Sequence, residues 1–421
     1  MTHTFGVGNT IRPLRQGNRL NKQLTSSDFS ESTVLRAPAF RRFCMSPTSK
    51  EPCTPVFLTH FASVDDPRQQ AKVTYPLDEV FLLVLCAVIS GADGWTSIAL
   101  YGEKKLELLR RFLPFKDGTP SHDQLGILFA RLDIEVFQRC FAEWIASLHD
   151  VLDGVVAIDG KTLRRSFDTR SGKAAIHMIS AWSCEHKLVL GQCKVDDKSN
   201  EVTAIPKLLD LLALKGAIVT LDAMGCQRSI CQQVIDQESD YVIGLKGNQG
   251  SLREDVEVFF DEHLERNIGG QFVKSAETIE ADHGRIENRC CTVCSDTQWL
   301  INRHNWPGLK AVVMTEYTRE IRGKIETIRR FYISSFVDCP EKMARHIRSH
   351  WQVENSLHWV LDVTFRQDEC RIRQGNAAAN FATINHAANN LLRGNPGKIS
   401  LPQKRRSAAW DDDYMEALIR Q

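Results

Sequence analysis

Apolar and polar positions follow three regimes along the chain. Between residues 57 and 148 the apolar residues recur at helical spacing. The stretch 80–89 is apolar on every side, which predicts a helix buried all round. Gly91 and Gly94 end it, and Leu113-Pro114 followed by Gly118-Thr119-Pro120 marks a turn. Beyond that turn Leu125, Leu128, Phe129, Leu132, Val136, Phe137 and Phe141 keep a period of three to four. A small all-α domain over 56–149 is expected.

From 151 to about 250 the period changes. Val155-Val156-Ala157-Ile158 runs straight into Asp159-Gly160, and the same design returns where 217–221 runs into Asp222. A short apolar run bounded by a turn signal predicts a strand buried on both faces. Further strands are expected at 174–182, 188–195 and 241–245, with helices at 202–214 and around Ile230, Val234 and Ile235. Three strands, then helix, strand, helix, strand, is the order of a ribonuclease-H-like domain. The chain therefore reads as α/β, with such a catalytic domain over 150–395. Its β-rich insertion at about 251–335 is marked by strand-like runs at 272–279, 286–294, 310–316 and 327–335. Pro340-Glu341 opens a helical stretch that carries Glu354. Residues 396–421, with Lys398, Lys404, Arg405 and Arg406, read as a polar surface tail. Residues 1–55 carry eight Arg and Lys against Asp28, Glu31 and Glu51 and read as a disordered basic leader, either a nucleic-acid arm or a plain extension.

Composition narrows the classes. A length of 421 residues allows two or three domains. A formal net charge of +1 means that any basic surface is local. Thirteen scattered cysteines, an odd number, do not form a secreted disulfide framework, so a reducing cytoplasm is expected. The most apolar run is about half the length a membrane span needs, and no signal core follows the first charges, so no membrane partner is expected. Cys291 and Cys294 form a lone CxxC, which reads as packed thiols rather than a zinc site.

Asp159 and Asp222 each end a buried strand, where open α/β sheets place their ligands. Two carboxylates at one sheet edge suit a hard cation such as Mg²⁺ or Mn²⁺. On a wheel of about 100° per residue, Glu354 falls among Trp351, Leu357, His358, Leu361 and Phe365. A carboxylate on that apolar face needs a cation, either a metal or an arginine such as Arg345 or Arg348. Asp362 falls on the same side, as a third ligand in place of Glu354 or a partner for a basic residue. Lys161, Arg164 and Arg165 follow the first strand, and Lys246, Asn248 and Gln249 end the fifth. Both sets are candidates for phosphate contact. His283, Arg285 and Glu287 share one face of an inserted strand, toward DNA or the catalytic domain.

These residues carry a family resemblance. The strings 157–164, 221–227 and 241–249, His283-Gly284-Arg285-Ile286-Glu287, and His350-Trp351-Gln352-Val353-Glu354-Asn355-Ser356-Leu357-His358-Trp359 stand in order over about residues 57 to 395. They resemble the DDE transposases of bacterial insertion sequences, especially the H-repeat-associated subgroup. The resemblance implies Asp159, Asp222 and Glu354 as catalytic acids holding Mg²⁺ or Mn²⁺. It implies cleavage at the ends of an insertion element and transfer of the 3′-end into target DNA. Double-stranded DNA is the implied partner, in a homodimeric or larger synaptic complex in the cytoplasm, on the nucleoid. The wider group's Tyr, Arg and Lys around the last acid fall here at Ile347, His350 and Leu361. His350, Arg348 or Arg366 are the substitutes expected, with His358 as a further DNA contact. The competing readings are a decayed transposase that only binds element ends and a structure-specific nuclease on the same fold.

Overall fold

The computed structural model describes residues 54–148, 153–169, 172–196, 199–266, 270–282, 285–321 and 324–421. The basic leader, Thr54 and Pro55 apart, lies outside the described residues, as do His283 and the side chain of Arg285. Six helices come first: α1 (Val56–Phe61), α2 (Leu77–Ile89), α3 (Trp95–Lys104), α4 (Leu106–Leu109), α5 (His122–Arg131) and α6 (Ile134–Ser147). The all-apolar stretch is α2, buried without a break from Glu79 to Ile89. Phe81 of α2 and Phe61, Phe129 and Phe137 around it meet one another edge to face at centroid distances of 4.9 to 6.2 Å. Such pairs add about 0.5–1.5 kcal/mol each beyond the area they bury.

The second half opens with β1 (Val155–Thr162), β2 (His177–Ser183), β3 (Leu188–Lys194), α7 (Glu201–Asp210), β4 (Ile218–Leu221), α8 (Arg228–Asp236) and β5 (Asp240–Leu245). There follow α9 (Gly250–Arg266), β6 (Val273–Asp282), β7 (Arg285–Cys294), α10 (Gln298–His304), β8 (Ala311–Ile321) and β9 (Lys324–Ser334). The chain closes with α11 (Pro340–Ser349), a π-helical segment (Val353–His358), α12 (Trp359–Val363), α13 (Ala377–Gly394), α14 (Leu401–Trp410) and α15 (Asp412–Ile419).

One sheet holds all nine strands in the order β3-β2-β1-β4-β5-β9-β8-β7-β6. β1 runs antiparallel to β2 and parallel to β4, and β4 runs parallel to β5. That is the ribonuclease-H-like sheet, with Val155 to Ile158 fully buried at its centre. The insertion continues this sheet. β9 pairs antiparallel with β5 in the register Leu245↔Phe331, so the inserted strands line up beside the site-bearing ones. A second apolar cluster, with Val242, Cys291, Val293, Val313, Met343 and Ile347, packs under α11. Cys294 lies instead in the main core. Residues three apart on a strand face opposite sides, so the CxxC thiols cannot share an ion. Burial pushes them up to about 12 and about 11.

α13 is buried along nearly its whole length and packs on α2, α5, α6 and β3. Asn390 bonds both backbone groups of Val189, accepting from its N–H at 2.9 Å and donating to its carbonyl at 2.8 Å. This covers the outer edge of β3, which would otherwise offer open backbone groups. The stretch expected as a polar tail is α14 and α15. Met415, Leu418 and Ile419 enter the main core. Arg405 is buried, donates to the carbonyls of Val88, Ile89 and Thr364, and lies over the Phe365 ring. An arginine that satisfies three backbone carbonyls resembles a surface residue in sequence but serves as a rivet. Among the described residues no helix is long and apolar enough to cross a membrane.

Candidate active site

Asp159 lies within β1, one residue past its fully buried stretch, and the strand expected to end there runs on through Lys161 to Thr162 along β2. Asp222 follows β4 and caps a short 3₁₀ turn, its Oδ1 accepting from the N–H of Met224 at 2.8 Å and of Gly225 at 3.4 Å. Glu354 sits in the π-helical segment. All three line one cavity of about 550 Å³, with Thr220, Gly244, Lys246, Arg253, Arg329, Arg330, His350 and Trp351 also on its wall.

The wheel placed Glu354 on the apolar face, and the structure corrects this. Glu354 is exposed to the cavity, while Val353 and Leu357 are buried. The wheel assumes α-helical winding. A π-helix bonds i to i+5 and turns less per residue, so side chains drift off the α-helical face. The arginine alternative also falls away: among the described residues neither Arg345 nor Arg348 forms an ion pair with Glu354, and Arg348 reaches instead toward Glu280, at 3.8 Å.

Burial, then the carboxylates of Glu201, Glu354 and Asp222, push Asp159 up from 3.8 to about 7, against one opposing backbone N–H from Gly160. Among the described residues no Lys or Arg pairs with any of the three acids. The nearest base to Asp159 is His358, with Nδ1 at 3.7 Å from Oδ2. Burial first, then the charges of Lys161, His177 and His350, lower His358 to about 4, so it stays neutral near pH 7. Like-charged carboxylates gain nothing from closer approach until a cation joins them. Accordingly, among the described residues no three His, Cys, Asp or Glu side chains already stand as a closed ligand set. Three uncompensated carboxylates in one cavity fit a hard divalent ion and offer no soft donor.

Residues 151–391 match the Transposase DDE domain family, and residues 58–145 match the family described as DDE_Tnp_1-associated. The chain belongs to the DDE transposase family. It is 42% identical over 369 residues to the "H repeat-associated putative transposase YhhI" of Escherichia coli (strain K12), covering 86% of this chain and 97% of that protein. It is 40% identical over 368 residues to the "Putative transposase YncI" of Escherichia coli O157:H7, covering 86% of this chain and 94% of that protein. A piggyBac transposase solved by cryo-EM as a synaptic complex with hairpin DNA superposes at a TM-score of 0.42 and 10% identity, over 87% of this chain and 77% of that one.

In this DDE transposase chain the expected DNA contacts divide. Lys246 is exposed on the cavity wall, and His350 lies inside it, with Nδ1 3.1 Å from Thr220 Oγ1. Burial lowers the pKa of His350 against the opposing charge of Asp222. Arg164 and Arg165 are exposed outside the cavity. Lys161 differs from expectation, its amine held by Asp362 at 2.6 Å. That same pairing answers the alternative for Asp362, which does not line the cavity and already has its cation. Asn248 and Gln249 also differ. Their amides donate to the carbonyls of Ala223 at 2.6 Å and Cys226 at 2.9 Å, and so fasten the loop behind Asp222. His358 is half-buried beside Asp159 and lines a small cavity with His386 and Gln192. Arg366 pairs with Asp93 and Glu369 on the surface, Ile347 packs in the second core, and Leu361 is buried.

Some wall residues were not read from the sequence. Arg329 and Arg330 come from β9, brought here by the β5–β9 pairing, and Arg253 from α9, which follows β5. Arg330 lies over the exposed Trp351 ring at 5.4 Å. Arg329 is held by Glu316 at 2.6 Å and Asp261 at 3.0 Å, and Arg253 by Glu257 at 2.9 Å. Lys246 and Arg330 thus remain without an ion-pair partner among the described residues. On the far side of β1, His177 Nε2 lies 2.6 Å from Glu201 Oε1, packed where Gly160 has no side chain. The glycine of Asp159-Gly160 was readable only as a turn signal.

Proposed function

We propose that the chain is a metal-dependent DNA transposase whose Asp159, Asp222 and Glu354 together hold Mg²⁺ or Mn²⁺. The reading rests on one observation: the three carboxylates share a cavity in which no lysine or arginine of the described residues pairs with them. When bound, such ions activate a water or hydroxyl oxygen and stabilise the leaving oxygen of a phosphodiester. The protein's own work is positioning and charge. Lys246 and Arg330, unpaired at the wall, meet backbone phosphates of double-stranded DNA, which sets its register without reading sequence. Trp351 beside Arg330 offers an apolar plate at the mouth. His350, neutral and bonded to Thr220, occupies the place of the wider group's arginine and adds no charge. No covalent protein intermediate is required, since positioning and electrostatics carry phosphoryl transfer. Cutting at an element end and joining the freed 3′-hydroxyl to target DNA use the same acids in turn, with two ends paired by at least two copies of the chain.

The test is incubation of purified protein with a duplex carrying the terminal sequence of its own element, resolved on a denaturing gel. Mg²⁺ or Mn²⁺ is expected to give a nick with a free 3′-hydroxyl and, with target plasmid, a covalent end-joined product. EDTA should abolish both. Binding without cleavage under all metals would favour the decayed DNA-binding protein, and cleavage without joining a structure-specific nuclease.

A further inference from the structure

The mechanism leaves one shielded ion pair unused. Lys161 stands two residues beyond Asp159 on β1, so the two side chains leave the same face of the strand. Its Nζ lies 2.6 and 2.7 Å from the two carboxylate oxygens of Asp362 and 3.6 Å from Asp368, with the side chain only 11% exposed. Arg164 Nε supports Asp368 from the other side at 3.2 Å. Asp362 lies in α12, about two helical turns past Glu354. Between them His358 touches Asp159. The stretch carrying Glu354 is thus fastened to the strand carrying Asp159 by a charged contact just beyond its π-helical segment.

The phosphate contact expected of Lys161 and the ligand role open to Asp362 do not suit this pair, whereas the other role open to Asp362, partner to a basic residue, does. A phosphate cannot reach an amine enclosed by two carboxylates, and Asp362 is outside the cavity the three acids line. Shielded ion pairs add little net stability but hold one geometry, because each charge is costly without its partner. We propose that Lys161 and Asp362 are positioning residues, a clamp that keeps the Glu354 helix against β1 so that Glu354 and Asp159 reach one divalent ion. The clamp rests on the metal-binding reading above for its purpose, though not for its existence.

The test uses the full chain with Mn²⁺ alone as probe. The variants are Lys161→Met, Asp362→Leu, their double, Lys161→Arg, and Asp159→Asn for reference. Calorimetric titration measures Mn²⁺ affinity, and amide hydrogen exchange follows residues 353–363. Each clamp variant is expected to bind Mn²⁺ about 10–100-fold more weakly, the usual effect of losing an outer support of a metal site. The double should be no worse than the weaker single, because the two act as one unit. Lys161→Arg should recover most of the affinity. Exchange over 353–363 should quicken at least about tenfold in both singles. Additive losses, unchanged exchange in the singles, or Mn²⁺ loss in Asp362→Leu but not in Lys161→Met would overturn the clamp. If Asp159→Asn binds Mn²⁺ like wild type, the metal reading fails by itself, and exchange still decides the clamp. Should either single variant unfold, the charge-reversed pair Lys161→Asp with Asp362→Lys replaces it, and failure to restore slow exchange counts against the proposal.

Discussion

Asp159 shows how one side chain takes its character from its neighbours. Burial and three nearby carboxylates raise it from 3.8 to about 7. The folded chain therefore holds this proton more tightly than the unfolded chain does. Its favourable contribution is complete below about pH 4 and is lost as pH rises through 7. Without divalent metal, Asp159→Asn is expected to melt at a higher temperature than wild type at pH 8 and at nearly the same temperature at pH 4. Mn²⁺ should stabilise wild type at pH 8 and leave the variant unmoved. Scanning calorimetry in EDTA and in Mn²⁺ checks both, and equal melting at pH 8 would show that Asp159 bears no such strain. Asp159 and Asp222 were readable because a buried apolar run that stops at an acid leaves that acid at the sheet edge. Lys161 was misread because nothing in its neighbourhood shows an Asp two hundred positions away closing on its amine.

Elements differ in how plainly their residues declare them. Short apolar strands were visible because burial on both faces leaves few polar positions in them. The facing of Glu354 was not, because a change from i+4 to i+5 bonding leaves no mark in residue type. The two last helices were missed for a related reason. α15 buries only Met415, Leu418 and Ile419, too few to set a period, and its order comes from packing on the core. The turn after β5 is a case where an element acts on a site it does not enter. Asn248→Ala removes the bond to the Ala223 carbonyl and loosens the loop behind Asp222. It is expected to cost about 1 kcal/mol in stability and to slow cleavage about tenfold, with unchanged affinity in a gel shift. A fall in affinity with a shallower salt dependence would instead make Asn248 a DNA contact.

At the scale of the molecule, the inserted strands belong to the same sheet as β1 and β4, and this delivers Arg329 and Arg330 of β9 to the cavity wall. Sequence order showed an insertion of strands. It did not show which strand it would pair with, since pairing depends on contacts far apart along the chain. The cavity sets Lys246 and Arg330, without ion-pair partners among the described residues, in company with three acids in a chain whose formal net charge is only +1. Lys246→Ala and Arg330→Ala are each expected to weaken DNA binding alike across sequences and to lower the slope of log affinity against log salt by about 0.9. An unchanged slope in both would move the DNA path elsewhere. The central claim is that three acids from β1, the end of β4 and the π-helical segment act as one unit on DNA. Single-turnover nicking of an end-sequence duplex in Mg²⁺ tests it most directly, with Asp159→Asn, Asp222→Asn, Glu354→Gln and their pairwise combinations. Each single variant is expected to lose at least about 10³-fold, with no further loss on combination, as for residues that act together. Any one of the three nicking at the wild-type rate would contradict the account.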